Sequence, residues 1–237
     1  GVLAGLEIVE TLAQAGIQTD RPLQVAFFTD EEGARFAPDM LGSLVYVGGL
    51  PLEEALDLVA ADDGARLGDE LGRIGYAGPA PCPAASAPHA YVELHIEQGP
   101  VLEAEDVTIG VVEGVQGISW TEIVIVGQSA HAGTTPMRLR HDPVYCAAAI
   151  TTYVRDLTRL LGAEQVGTVG RIDVYPNLVN VVPARVVMTV DLRNTDDSVL
   201  CEAEARLARF LDELAATEGV SISTTSLARF EPVEFDS

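Results

Sequence analysis

Apolar positions Leu3, Leu6, Val9, Leu12 and Ala15 recur at three-residue spacing in "GVLAGLEIVETLAQAGI", which predicts a helix that stops near Gly16. "LQVAFFT" (23–29) is a mostly apolar run of strand length and reads as a buried strand, and "AYVELHI" (90–96) reads as another strand. Between them a short helix is expected near Ala37–Leu41 and a further one across "PLEEALDLVA", with Pro51 at its start. "GPAPCPAASAP" (78–88) has the composition of a surface loop. Helices alternating with buried strands predict a mostly parallel α/β sheet, which gathers its ligands at the carboxyl ends of its strands. "TDEEG" and "HIEQG" fall at those ends.

The period changes after about Gly110. "SWTEIVIVG" (119–127), "GTVGRIDVY" (167–175), "ARVVMTVDLR" (184–193) and "VSISTTSLA" (220–228) read as strands. "DPVYCAAAITTYVRDLTRLL" (142–161) and "SVLCEAEARLARFLDELAAT" (198–217) read as helices. The order is β-α-β-β-α-β, the ferredoxin-like motif. The expected organisation is therefore an α/β domain over 1–112, an inserted ferredoxin-like domain over 113–228, and a segment over 229–237 that heads back to the first domain. A domain seldom opens on a helix like the first one, so an earlier segment of the natural protein is expected.

Composition narrows the partners. The chain has 237 residues and a formal charge of −22, and all of its 14 basic residues are Arg. Such acidity argues against binding nucleic acid or an anionic membrane, since both need positive patches. No run of eighteen apolar residues and no signal peptide is present, so neither a membrane span nor export is expected. Cys82, Cys146 and Cys201 lie far apart without metal-type spacing. A sparse, odd count fits buried thiols in a reducing cytoplasm.

"TDEEG" carries the first chemistry. Asp30, Glu31 and Glu32 stand in a row, and like charges this close resist joint ionisation unless a cation compensates. Carboxylates at a strand end can ligate a divalent ion and take a proton from water; a solvated acidic turn is the alternative. His95 in "HIEQG" supplies a nitrogen donor at the other strand end, a pairing that suits Zn²⁺ or Mn²⁺. His131 lies in a Gly/Ala/Thr-rich turn with no apolar face to pack on, which favours function over a core role. From the residues alone, Asn180 reads as a turn residue and Arg193 as a surface partner of Asp191. Arg140 and Asp142 read as an ion pair, with Asp142 also capping the next helix.

Five segments, "FFTDEEGARFAPDMLGS", "HIEQGPVLEAE", "GVVEGVQGISW", "GQSAHAGTTPMRLRHD" and "PNLVNVVPARVVMTVDLR", occur in that order. Together they closely resemble the N-carbamoyl-L-amino-acid hydrolases and their relatives the β-ureidopropionases and allantoate amidohydrolases, within the aminoacylase- and carboxypeptidase-like binuclear metallopeptidases. The resemblance implies hydrolysis of a ureido C–N bond to amine, carbon dioxide and ammonia. It implies two divalent ions (Zn²⁺, Mn²⁺ or Co²⁺) holding a bridging hydroxide, and a homodimer formed through the inserted lid domain. By position, Glu31 matches the general base, Glu32 and His95 match metal ligands, and Gln98 lies near substrate. His131 matches the lid histidine that stabilises the oxyanion, and Asn180 and Arg193 match the clamp on the substrate carboxylate. The family's "HxD" and "GxxDG" segments would stand before Gly1 and its "GHDA" segment after Ser237, so a piece truncated at both ends, inactive alone and with an incomplete metal set, is expected. Assembly without catalysis is the competing expectation.

Overall fold

Helix α1 (Val2–Gln14) opens the chain, and Gly1 is its N-cap. Short helices α2 (Leu41–Tyr46), α3 (Leu52–Leu56), α4 (Leu67–Ile74) and α5 (Val101–Ala104) follow. The computed structural model describes residues 1–60, 62–83, 86–162 and 164–235. Two positions of the expected 78–88 loop, Ala84 and Ala85, and the last two residues of the expected return segment lie outside the described residues. The chain divides into two units, Gly1–Asp106 and Val107–Ser237.

In the first unit a small core joins Phe36, Leu41, Val45, Ala55, Ala60 and Leu67. Proline at the N-cap of α3 and acidic Glu53 and Glu54 in its first turn suit a helix start. The expected helix at 37–41 lies one step later, over Leu41–Tyr46. Pro38 restricts Ala37 before it, which disfavours helix there. The expected helix across 51–60 stops after five residues, because the chain turns at Asp57 and forms an isolated bridge from Val59 to Arg66.

The parallel sheet expected of this unit is corrected. Neither 23–29 nor 90–96 is a strand, and among the described residues every strand pair is antiparallel and lies in the second unit. The reason is partnership. An apolar run reports what its side chains prefer, whereas a strand exists only when a neighbour completes its ladder. Both runs are left with apolar side chains in solvent: Phe27 is 69% exposed and Val92 89%. Each still lies against α1. A methyl group on Gly5 would meet Val25 Cγ1 at 3.0 Å, and one on Gly1 would meet Glu93 Oε1 at 3.3 Å.

The second unit follows its periodicity closely. Its elements are β1 (Gly114–Val115), β2 (Gly117–Val126), β3 (Ala130–His131), α6 (Pro143–Leu161), β4 (Val166–Tyr175), β5 (Val181–Val182), β6 (Arg185–Asn194), α7 (Asp197–Glu218), β7 (Ser221–Phe230) and β8 (Val233–Glu234). β4, β6, β2 and β7 form a four-stranded antiparallel sheet in that order, with Ile123 opposite Met188 and Trp120 opposite Asp191. β1 pairs with β8, and β3 with β5. Alternation on the central strands puts Ile123, Ile125, Val186, Met188, Val190 and Leu192 on one face. Helix-spaced Cys146, Ile150, Val154 and Leu157 of α6, and Leu200, Ala203, Leu207, Leu211 and Leu214 of α7, cover it.

Both long helices begin on an aspartate. Asp142 accepts from Val144 N at 2.9 Å and Tyr145 N at 3.3 Å, and Pro143 fills the first helical position. Asp196 accepts from Ser198 N at 2.8 Å and from the Ser198 hydroxyl at 2.6 Å. Those bonds, the hydroxyl's foremost, hold its carboxyl below the usual Asp range. His141 ties three elements together. Its Nδ1 lies 3.0 Å from the Glu218 carbonyl at the end of α7, and its own carbonyl accepts from Gln128 N just past β2. Asn194 and Gln165 are the buried polar pair of the core's end: Asn194 donates to Gln165 Oε1 at 3.1 Å and accepts from Asp196 N at 2.9 Å.

The expected burial of all three cysteines holds only for Cys146, whose thiol is pushed up to about 11, chiefly by burial. Cys82 and Cys201 are exposed. Among the described residues, no helix is long and apolar enough to cross a membrane.

Candidate active site

Four of the candidate residues, Glu31, Glu32, His95 and Gln98, belong to the first unit, and three, His131, Asn180 and Arg193, to the second. The acidic turn is built by its own backbone. Gly42 N donates to Thr29 O at 2.9 Å and Met40 N to Glu31 O at 2.6 Å, so residues 29–42 close into a loop. Asp30 adopts φ +50° and Gly33 φ +61° to make the tight bend. A side chain at Gly33 would strike Asp39 Cα at 2.8 Å, so the bend needs glycine twice over. Asp30 turns inward: Oδ1 accepts weakly from Arg35 N at 3.5 Å, and Oδ2 is buried without a partner. Glu31 and Glu32 stay exposed at the rim.

Arg35, a residue the sequence reading passed over, ties this loop down. Its guanidinium donates to Glu70 of α4 at 2.8 Å and to Asp63 at 2.9 Å. Glu70 also accepts two bonds from Arg73. Arg73 first and Arg35 second hold the Glu70 carboxyl down to about 2. A cavity of about 200 Å³ lies beside this network, lined by Asp30, Arg35, Phe36, Glu70 and Arg73 among others.

His95 is exposed, and its Nδ1 faces the Ile96 carbonyl. Gln98 adopts φ +56°. Its neighbour Glu97 accepts from Val101 N at 3.0 Å and Leu102 N at 3.1 Å, capping α5. Tyr91, on the same run, is raised above the usual phenol range. The largest cause is its bond to Glu93, and Glu31 contributes the least. That coupling brings Glu31 within charge range of the 90–96 run. Among the described residues, however, no group of three or more His, Cys, Asp or Glu is placed to hold a metal ion. Glu32 and His95 alone do not make up the donor set of a binuclear centre.

In the second unit the β3–β5 pairing brings two candidates together. His131 lies opposite Val181, and Ala132 N donates to Asn180 O at 3.0 Å. The His131 ring is oriented by its own turn: Gly133 N donates to Nδ1 at 3.0 Å. A nitrogen that accepts carries no proton, so the hydrogen of the neutral ring resides on Nε2. An exposed imidazole held this way offers one N–H donor, which is what a developing oxyanion needs.

Arg193 stands apart from that pair. It lies roughly 26 Å along β6 from Arg185, the end of the strand nearer Asn180, taking about 3.3 Å per residue. Its guanidinium grips Asp191 through bonds of 2.9 to 3.1 Å and lies over Trp120 at 5.8 Å. The ion pair weighed from sequence is therefore present, and it engages Nε and Nη2 of the guanidinium. The expected Arg140–Asp142 pair is corrected. Asp142 spends its carboxylate on the α6 cap, and Arg140 donates instead to the Ala132 carbonyl at 2.6 Å and the Thr135 carbonyl at 3.0 Å. The signal for this was the turn itself, whose carbonyls have no helix or sheet to receive them.

Known proteins are similar to this chain over its whole length. An N-carbamoyl-L-amino-acid amidohydrolase of Rhizobium meliloti is 42% identical over 236 residues, covering 100% of this chain and 56% of its own length. Another from Geobacillus stearothermophilus is 41% identical, covering 98% of this chain and 57% of its own length. The crystal structure of an amidase of the hydantoinase/carbamoylase family from Burkholderia multivorans superposes with a TM-score of 0.92 at 44% identity, over 100% of this chain and 57% of that one. This chain thus spans a little over half the length of the relatives it matches. Residues 1–231 match Peptidase family M20/M25/M40, and the chain belongs to that family.

Proposed function

We propose that this chain is part of an amidohydrolase that cleaves the carbamoyl C–N bond of N-carbamoyl-L-amino acids. The observation that carries the reading is the close match, over the whole chain, to two amidohydrolases named for that substrate. In this reading water adds to the ureido carbonyl carbon, and Glu31 accepts its proton and passes it to the amino-acid nitrogen as the C–N bond breaks. The carbamate released falls to carbon dioxide and ammonia. His131 donates Nε2–H to the carbonyl oxygen as it gains charge, and its preset tautomer avoids reorganisation at that moment. Asn180 and Arg193 hold the substrate carboxylate, and Gln98 lines the substrate side.

Two divalent ions, Zn²⁺, Mn²⁺ or Co²⁺, are proposed for the whole protein; Glu32 and His95 are the donors this chain would contribute. The second unit is read as the ferredoxin-like lid inserted into the catalytic domain, over 113–228. Its β-α-β-β-α-β order and its sheet order support this reading. Homodimerisation through that lid, and a cytoplasmic setting, complete the proposal.

The test is ammonia release by the intact, metal-loaded protein from N-carbamoyl-L-amino acids, allantoate and 3-ureidopropionate. Preference for the first supports the reading, preference for another moves the substrate assignment, and silence on all three sinks it. Glu31→Gln should lower kcat by roughly 100-fold or more while substrate binding persists. Unchanged turnover would remove Glu31 from the base role.

A further inference from the structure

Arg140 is the best-placed charged group in the second unit that the proposed chemistry does not use. It is half-buried, and its hydrogen bonds go to backbone carbonyls rather than to a carboxylate, although acidic residues outnumber basic ones by 36 to 14. Its guanidinium instead donates from Nη2 to Ala132 O and from Nε to Thr135 O, the two ends of the turn that follows His131. The same turn is closed by Thr135 N donating to His131 O at 3.1 Å. Arg140 is itself anchored, three residues before Pro143 opens α6 and directly after the short turn of 3₁₀ helix Met137–Leu139.

We propose that Arg140 is a positioning residue that holds the 131–135 turn in the shape in which Gly133 N meets His131 Nδ1. Two charge-assisted bonds to carbonyls of a partly buried turn are stronger than neutral ones and fix a plane as well as a distance. Releasing them frees Ala132 and Gly133 to rotate. The ring then loses the donor that keeps its hydrogen on Nε2, and the Ala132 N bond that aligns Asn180 loosens with it. Arg140 touches no substrate; it acts through His131. The inference rests on the reading of His131 as the oxyanion donor, and the test separates the two.

Arg140→Met, Arg140→Lys and His131→Ala are compared in the intact, metal-loaded protein. Arg140→Met is expected to lower kcat by roughly 10- to 100-fold with KM changed little, as misplacement of an otherwise intact group does. Arg140→Lys, which can still reach one carbonyl, should recover part of the loss. The discriminating readout is the ¹⁵N spectrum of the His131 imidazole. It should show one Nε2–H tautomer in the native protein, a mixture in Arg140→Met, and an intermediate state in Arg140→Lys. A loss of kcat that tracks only a fall in melting temperature, with the His131 spectrum unchanged, would overturn the proposal. Loss of turnover in His131→Ala with normal turnover in Arg140→Met removes Arg140 alone. Normal turnover in His131→Ala removes the oxyanion reading of His131, and the catalytic consequence claimed here falls with it.

Discussion

The two units of this chain spend similar apolar content very differently. The second surrounds sixteen buried residues with a four-stranded sheet and two long helices. The first gathers six buried residues among short helices and leaves two apolar runs without strand partners. The second unit buries its apolar periodicity within its own elements, whereas the first unit leaves much of two apolar runs exposed. Where an element is partnered locally, its pattern predicts its fate; where it needs distant partners, the pattern predicts only its preference.

The sharpest way to break that comparison is to excavate each core. Ile150 and Leu41 are both essentially fully buried. Ile150→Ala, in the larger core, should cost about 4 kcal/mol, and Leu41→Ala, in the smaller one, about 2.5 kcal/mol. Urea unfolding followed by hydrogen exchange, which reports each unit separately, measures both; equal costs would erase the distinction. Next comes Asn194→Leu, which removes a donor to Gln165 Oε1 and an acceptor for Asp196 N. Leaving those groups buried and unpaired should cost about 2 kcal/mol in the second unit. Asp142→Ala deletes the α6 cap and should cost about 1 kcal/mol, with Asp142→Ser restoring most of it.

The smallest effect is confined to the first unit and to acid. The Glu70 carboxyl titrates at about 2 in the folded chain against an ordinary 4.5. As pH falls below 4.5 the unfolded chain takes up this proton first, so the ion pairs' contribution is complete above that point and lost as pH approaches about 2. Glu70 is solvent-accessible, so added salt should shrink the effect. Glu70→Gln should flatten the acid limb of the first unit's unfolding in that window. An identical slope in both proteins would show that the Arg35–Glu70–Arg73 cluster contributes nothing.

The second unit was legible because each of its long elements carries a full period. Leu200, Ala203, Leu207, Leu211 and Leu214 announce α7, whose expected start at Ser198 falls one residue after the observed Asp197. α4 was missed because "LGDELGRI" is short and mixed, and its helix ends at Gly75, φ +78°. At the candidate site, sequence singles out residue types, but not which partner each will choose. Arg140 next to Asp142 looks like an ion pair until helix capping claims the carboxylate and the turn's open carbonyls claim the guanidinium. Arg193 was weighed as both clamp and surface pair, and the sheet gives it Asp191, two positions away on the same face. Arg35 carried no signal at all, because its partners lie 28 and 35 residues away.

His141 was given no role from sequence, yet its position restricts residues on two other elements. A methyl group at Gly127 would sit 2.2 Å from the His141 carbonyl oxygen, and one at Gly219 would sit 2.7 Å from Nδ1. Gly219 also holds φ +64°, so even a small side chain would be strained there. The Gly127 contact is with the backbone of residue 141 and so persists whatever side chain stands there, whereas the Gly219 contact is with the imidazole itself. Gly127→Ala and Gly219→Ala should therefore each lower the second unit's melting temperature, and adding His141→Ala should relieve neither the backbone clash at 127 nor the left-handed φ at 219.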